Sequence, residues 1–291
     1  LWRVADGRTL AFVPGEGRPL FAAALDAGRG IVADGDGAER IRLWRLGADR
    51  LDPLAVIEPE PRRTPLARIT ALAFLGDSML VASTWDRRLL FFDVSQPEAP
   101  KRLATLPARV HQSVVYALAA TDDGRVLATG SWDGSVALWR NLPTPAQPDV
   151  RPQVERFDTD PDADRAAINA VAFSPSGKWL AAGGHEGSVF LWQSGPGMAR
   201  SMRRLKGDGG HEGTVFGVAF DAAETMLATA AIDRRVVLWR LAEVQAWDPR
   251  DPLPLGEPFP TLPERLYGAA FDPRRGQTLA LAGGPSVFVV D

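Results

Sequence analysis

The chain has 291 residues, of which 45% are hydrophobic and 24% are charged, the proportions of an ordinary globular protein rather than a disordered one. No apolar run reaches about 18 residues, which excludes a membrane-spanning helix, and a net charge of -3 gives no general attraction to nucleic acid. With no cysteine, disulfides, thiolate nucleophiles and cysteine-based zinc sites are excluded.

The N-terminal residues give no sign of export. Leu1–Asp6 lacks the charged and then apolar organisation of a secretory signal, so we expect a soluble, cytoplasmic protein. Among the 33 basic residues only Lys101, Lys178 and Lys206 are lysines, a bias that favours a bacterial coding sequence.

Six modules of similar length follow one another along the chain. Each begins with one apolar run and ends in another. The last position of the final run is residue 44, 92, 139, 192, 239 or 290, and in four modules it is a tryptophan. A period of roughly 40 to 50 residues is typical of propellers and solenoids. The modules run from Leu20 to Trp44, Arg68 to Phe92, His111 to Trp139, Ala167 to Trp192, His211 to Trp239 and Leu266 to Val290.

Within a module, turn residues separate three short apolar runs, such as Val215–Phe220, Met226–Thr229 and Val236–Trp239. Short runs bounded by turns indicate strands rather than helices. A weaker fourth run follows several modules, and four antiparallel strands make one blade of a propeller. We therefore predict an all-β fold, a β-propeller of four-stranded blades, with outer strands at Leu54–Ile57, Leu103–Leu106 and Val154–Phe157.

The two ends of the chain fit one closing scheme. Thr9–Val13 has no module before it, and the last module has no strand after Asp291, so we expect the N-terminal strand to complete the last blade. We interpret residues 1–291 as a single propeller domain. Because Leu1–Arg3 resembles Leu43–Arg45, the chain begins and ends at the same phase of the repeat, which indicates excision from a longer array.

Two modules share a set of four residues at identical spacing, namely His111, Thr129, Asp133 and Trp139 in one and His211, Thr229, Asp233 and Trp239 in the other. Through these residues above all, the chain resembles the WD-repeat (Trp-Asp repeat) family along its whole length. The resemblance implies that they form a structural hydrogen-bonded network within each blade, with the aspartate in the turn between the second and third strands. A connected network satisfies the buried indole, imidazole and carboxylate together.

The other modules depart from this pattern, and we expect their networks to be incomplete or absent. The middle module has Asp164, Ala182, Glu186 and Trp192, and the second has Ala82, Asp86 and Phe92. The first module carries Asp34–Glu39, which looks like an insertion, and the last ends in Gly283–Pro285 without the aspartate or the tryptophan.

No candidate catalytic, metal or cofactor site stands out. The His, Thr and Asp grouping recurs in two modules, which a structural repeat requires and a unique active site does not. His111, His185 and His211 lie in different modules, without the close spacing of metal ligands. Asp34–Gly37 lacks the twelve-residue calcium loop, and the Gly pairs lack a phosphate-binding motif. We expect no cofactor and no metal.

The residues around the turn aspartates are the candidates for binding a partner. Trp85 and Trp132 directly precede a turn aspartate, His185 and Ile232 hold the matching places, and the family resemblance implies that this position faces one mouth of the ring. Exposed aromatic side chains are common anchors at protein interfaces, although packing of both tryptophans on neighbouring turns is the alternative. Arginines beside these turns could offer donors to an acidic partner, namely Arg87, Arg88, Arg234 and Arg235.

These observations favour a non-catalytic scaffold or sensing domain that binds another protein through one face of the propeller. Linkers such as Leu253–Pro258 look like those of bacterial WD-repeat arrays. The first alternative is therefore a regulatory propeller attached to a signalling NTPase, kinase or caspase-like domain. A propeller hydrolase that uses carboxylates such as Asp86, Asp133, Glu186 and Asp233 is the other alternative, because fold does not determine function.

Overall fold

The computed structural model describes residues 19–58, 68–159, 166–193, 202–205, 209–246, 259–272, 278–284 and 286–290. Regular structure in these ranges is almost entirely β, apart from a short helix, α1 (Leu241–Ala246), and one turn of 3₁₀ helix at His185–Gly187. No helix in the described part of the chain is long and apolar enough to cross a membrane.

Three sheets form the first half of the chain, and we call them blades 1 to 3. Consecutive strands pair antiparallel, so each blade is a meander. Blade 1 comprises β1 (Leu20–Asp26), β2 (Ile31–Asp36), β3 (Ile41–Leu46) and β4 (Leu51–Ile57); blade 2 comprises β5 (Ile69–Leu75), β6 (Met79–Thr84), β7 (Arg88–Asp93) and β8 (Lys101–Pro107); blade 3 comprises β9 (Val115–Ala120), β10 (Val126–Ser131), β11 (Ser135–Arg140) and β12 (Gln153–Asp158).

Three further sheets, blades 4 to 6, follow in the second half with the same antiparallel order. Blade 4 comprises β13 (Ile168–Phe173), β14 (Trp179–Gly184), β15 (Val189–Gln193) and β16 (Arg203–Leu205); blade 5 comprises β17 (Val215–Phe220), β18 (Met226–Ala231) and β19 (Val236–Arg240); blade 6 comprises β20 (Gly268–Phe271), β21 (Leu279–Ala282) and β22 (Val287–Val290).

The architecture confirms the predicted fold class, an all-β propeller of six blades. The outer strands predicted at Leu54–Ile57, Leu103–Leu106 and Val154–Phe157 lie within β4, β8 and β12. Blades 5 and 6 show three strands each in the described residues. The N-terminal segment Thr9–Val13, predicted to complete the last blade, lies outside the described residues.

The chain divides into two compact units. The first holds the described residues up to Ser131 together with Ala137–Arg156, and the second holds Trp132–Val136 with the described residues from Phe157 onward. In each unit apolar side chains pack between successive blades, for example Ile69 with Leu43, and Val215 with Leu191. Burial of these faces is the main source of stability. The expectation of a single domain stays a prediction.

In blades 2, 4 and 5 the turn between the second and the third strand is tied to the start of its own blade. The backbone N–H of Trp85 donates to the carbonyl of Arg68, that of His185 to Ala167, and that of Ile232 to Thr214, at 2.9, 3.0 and 3.1 Å. In each case the acceptor directly precedes the first strand of the blade. This bond places the residue before the turn acid at one end of the blade, which we call the turn end.

Candidate functional site

The polar network predicted for the fifth module is complete. His211 Nδ1 lies 3.1 Å from Asp233 Oδ2 and its Nε2 lies 2.9 Å from Thr229 Oγ1, which also accepts the Trp239 indole N–H at 2.9 Å. The Thr229 hydroxyl also donates to the backbone carbonyl of Val237, at 3.2 Å. Thr229 and Trp239 are fully buried, so the bonds of this grouping satisfy polar groups inside the blade.

Asp233 holds this turn together as an anion. Its carboxylate accepts the backbone N–H groups of Glu212 and Arg235, at 2.9 and 3.0 Å, in addition to the imidazole. Burial by itself would raise the pKa of Asp233, but the bonds and charge interaction with His211 and these two N–H groups lower it to about 2. Several donors to one carboxylate favour its charged form.

The network of blade 3 has the same parts. His111 Nε2 lies 2.6 Å from Thr129 Oγ1, and Trp139 donates its indole N–H to that oxygen at 3.0 Å. Asp133, in the turn after β10, accepts the backbone N–H of Ser135 at 3.0 Å. These bonds support the structural role that the family resemblance implies for the residues, which stays a prediction.

Blade 1 carries a different network, and the expectation that Asp34–Glu39 is an insertion is wrong. Asp34 stands ten residues before Trp44, the spacing of Thr129 to Trp139, and its Oδ2 accepts the Trp44 indole N–H at 2.6 Å. The other oxygen of this carboxylate pairs with Arg42 Nε at 2.8 Å, and both charged residues are buried. A carboxylate thus replaces the threonine hydroxyl as the acceptor of the indole N–H. The repeated pattern of His, Thr and Asp does not predict this replacement.

Blade 2 loses the donor and the acceptor together. Phe92 has no N–H to place, and Ala82, at the threonine position, has no hydroxyl; both residues are fully buried. Replacing both partners of a hydrogen bond by apolar groups leaves no buried group unsatisfied. Blade 4 keeps Trp192 but has Ala182 at this position, and the predicted Asp164 lies outside the described residues.

The turn acid of blade 2 instead joins an ion-pair cluster. Arg88 Nε lies 2.9 Å from Asp86 Oδ2, and its Nη2 lies 3.0 Å from Oε1 of Glu39, a buried residue in the turn of blade 1. Burial acts to lower the pKa of Arg88, but the two carboxylates hold it above its ordinary value. Arg88 therefore links blades 1 and 2, and its guanidinium is paired with two carboxylates of this chain.

Trp85 lies at the turn end of blade 2 beside a second arginine. The Arg68 guanidinium carbon is 4.9 Å from the centre of the Trp85 ring and 5.6 Å from that of Phe21. Phe21 is 42% exposed, and Trp85 is partly exposed. Sequence reasoning singled out Trp85 but missed Arg68 and Phe21, because only the fold brings β1 next to the turn after β6.

The matching residues of the second unit lie at equivalent turns. Trp132 is partly exposed and donates its indole N–H to Oδ1 of Asn169, a residue of β13, at 3.1 Å. His185 is exposed and Ile232 is partly exposed. All three lie in one unit, and whether they bind a partner stays a prediction.

The predicted arginine donors fall into two kinds. Arg88 is occupied as described, and Arg235 donates from Nη1 and Nη2 to the carbonyls of Gly210 and Gly209, both at 2.9 Å. Arg87 and Arg234 are exposed and take positive φ angles of 64° and 69°. Of these two, Arg87 also donates from Nη1 to the carbonyl of Gln112, at 3.3 Å. Among the described residues, no group of three His, Asp or Glu side chains could hold a metal ion.

Three stretches of the chain match a known family. Residues 100–140, 159–193 and 202–240 match the family model "WD domain, G-beta repeat". The chain contains WD40 repeats. Each matched stretch ends next to the tryptophan of blade 3, 4 or 5 and begins one residue before or after the outer strand of the preceding blade.

Similar proteins share parts of the chain. A "Probable cytosolic iron-sulfur protein assembly protein CIAO1 homolog" of Caenorhabditis elegans is 31% identical over 40% of this chain and 33% of its own length. "WD repeat-containing protein 1" of Xenopus tropicalis is 24% identical over 77% of this chain and 34% of its own length. "Telomerase protein component 1" of Mus musculus is 28% identical over 60% of this chain and 6% of its own length.

The chain therefore spans about a third or less of the length of these relatives. All three come from eukaryotes, so the bacterial character of the array stays a prediction.

Proposed function

We propose that this chain is a non-catalytic scaffold that binds another protein through the turn ends of its blades. The observation that carries the proposal is the contrast between two sets of residues. His211 and Thr229 are buried and pair with each other, and His211 pairs with Asp233, all within one blade, whereas Trp85 and Phe21 present aromatic surface at a turn end.

Aromatic side chains at such positions suit protein recognition. They supply a large contact area at a small cost in conformational entropy, and a few of them dominate the binding energy of many interfaces. The proposed anchors are Trp85 in the first unit and Trp132, His185 and Ile232 in the second, with Arg87 and Arg234 as outward-facing donors. A cytoplasmic location is part of the proposal, supported by the word "cytosolic" in the name of one relative.

The test is affinity capture from cells, followed by mass spectrometry, with the wild type and the double variant Trp85→Ala with Trp132→Ala. We expect a partner protein that the wild type retains and the double variant loses. Trp132→Phe keeps an aromatic side chain but removes the indole N–H that binds Asn169, which separates recognition by an aromatic ring from the support that this hydrogen bond gives.

The matched control is Val154→Ala, which removes an exposed apolar side chain from the outer strand of blade 3, where Val154 is 39% exposed. Thermal melting must show that the double variant remains folded. Identical captures by the wild type and a folded double variant would contradict the proposed face. Attachment to a signalling effector domain and hydrolase activity remain the alternatives.

A further inference from the structure

The Arg68 side chain lies between two aromatic rings at the turn end of blade 2. Its guanidinium carbon is 5.6 Å from the Phe21 ring and 4.9 Å from the Trp85 ring. Phe21 occupies space that blade 1 leaves open: Gly37 matches Trp85 in position, and a Cβ there would lie 3.1 Å from Phe21 Cε2. The guanidinium thus lies over both rings, where its positive charge interacts favourably with their π electrons.

No carboxylate in the described ranges forms an ion pair with Arg68, whereas the neighbouring Arg40, Arg42 and Arg88 each pair with an acid at 2.8 to 3.0 Å. A stacked guanidinium loses little side-chain entropy when it binds, because the rings already fix its plane. Arg68 is therefore preorganised for an acceptor from outside the chain.

The surroundings carry an excess of positive charge. Arg87 is exposed, and its carbonyl accepts the backbone N–H of Ala108 at 2.9 Å, which places the exposed Arg109 at the same end of the blade. Asp86 and Glu39 are both paired with Arg88. Four arginines, at 68, 87, 88 and 109, thus face two carboxylates, at 39 and 86, and the local charge favours an anion.

We propose that Arg68, held between Phe21 and Trp85, binds a carboxylate in an acidic segment of the partner protein. The inference rests on the proposed function and names the chemistry of its partner. A carboxylate matches the guanidinium edge in a two-bond geometry. A nucleic acid phosphate offers similar oxygens, but the net charge of -3 over the whole chain opposes a long polyanion.

The probe is a fluorescein-labelled octapeptide of alternating Glu and Gly, and its counterpart has Gln in place of each Glu. Binding to the full chain is followed by fluorescence anisotropy at low salt. We expect the Glu peptide to bind at least about fivefold more tightly than the Gln peptide, and Arg68→Gln to remove that difference. Arg68→Lys keeps the charge but not the planar fork, so it restores only part of the affinity.

The control is Arg125→Gln, which removes the same charge from the turn between β9 and β10, where the Arg125 side chain is 84% exposed. Equal affinity of the Glu peptide for the wild type and a folded Arg68→Gln variant would overturn the site. Tighter, Arg68-dependent binding of a ten-nucleotide oligothymidylate would also overturn it, in favour of phosphate. Neither result decides the proposed function, which the capture experiment with the Trp85 and Trp132 variants tests independently.

Discussion

Thr229 and Asp34 occupy the same position of the repeat but accept the indole N–H with different groups, a hydroxyl and a carboxylate. Both stand ten residues before a tryptophan and accept its indole N–H, Thr229 at 2.9 Å and Asp34 at 2.6 Å. A hydroxyl can pass the interaction on to an imidazole, as Thr229 does to His211, whereas a buried carboxylate needs a cation. Arg42 supplies that cation in blade 1. The charge of the group that accepts the indole N–H thus determines which kind of residue must lie beside it.

The stability of blade 5 should depend on pH through Asp233. The pKa of this carboxyl is about 2 in the folded chain and about 3.9 in an unfolded one. Since the folded pKa is the lower, the contribution to stability is full above about pH 4 and is lost as the pH falls towards 2. We expect Asp233→Asn to lower the free energy of unfolding by ~2 kcal/mol at pH 7 and much less at pH 2.5.

Urea unfolding at the two pH values measures this difference. Asp122→Asn, at an exposed turn position in blade 3, serves as the control and should leave both free energies within ~0.5 kcal/mol of the wild type. A loss of stability in Asp233→Asn that is equal at both pH values would mean that the charge of Asp233 does not support the fold.

At the scale of the strand, the pairing register determines which residue lies opposite the group at the threonine position of each blade. Asp34 pairs across β2 and β3 with Arg42, and the same register pairs Ala82 with Leu90 and Thr229 with Val237. The residue opposite a hydroxyl or methyl group is thus apolar in blades 2 and 5, while the residue opposite the carboxylate is a cation. Each blade satisfies its own buried polar groups.

Blade 1 should tolerate conversion to the blade 5 type only when both residues change. Asp34→Thr alone leaves the Arg42 charge buried without its partner, and we expect it to lower the free energy of unfolding by ~3 kcal/mol or more. Adding Arg42→Val recreates the Thr229 and Val237 pair and should recover most of that loss. Equilibrium denaturation of the two single variants and the double variant measures the coupling; additive losses would refute the buried ion pair.

At the scale of the molecule, small residues near the end of the second strand let the next blade approach. A Cβ on Gly183 would lie 2.6 Å from Val215 Cγ1, and one on Gly35 would lie 2.4 Å from Ile69 Cγ2. Val215 and Ile69 begin the first strands of the following blades. Packing between blades within each unit therefore depends on the absence of a side chain at these positions, since a filled interior resists added volume.

Gly183→Ala should accordingly destabilise the second unit. We expect a loss of ~1 to 3 kcal/mol, because the added methyl group forces Val215 away from blade 4. Gly268→Ala is the matched control, since a Cβ there meets nothing closer than Ala282 Cβ at 3.5 Å. Thermal melting compares the two, and equal melting temperatures of both variants would show that blades 4 and 5 separate without cost.

The sequence by itself determined the repeat, the strands and the blade type, because alternating apolar runs and turn residues act over a few residues. It also determined the networks of blades 3 and 5, whose members recur at fixed spacing. It could not determine the acceptor in blade 1, since a carboxylate there depends on a cation across the strand.

Only the tertiary structure decided which arginines turn inward and that Phe21, Arg68 and Trp85 meet. These three residues belong to two blades, and the packing of one blade on the next brings them together. Local patterns in a sequence record the partners within a strand or turn, whereas a site between blades depends on contacts that no short-range pattern encodes.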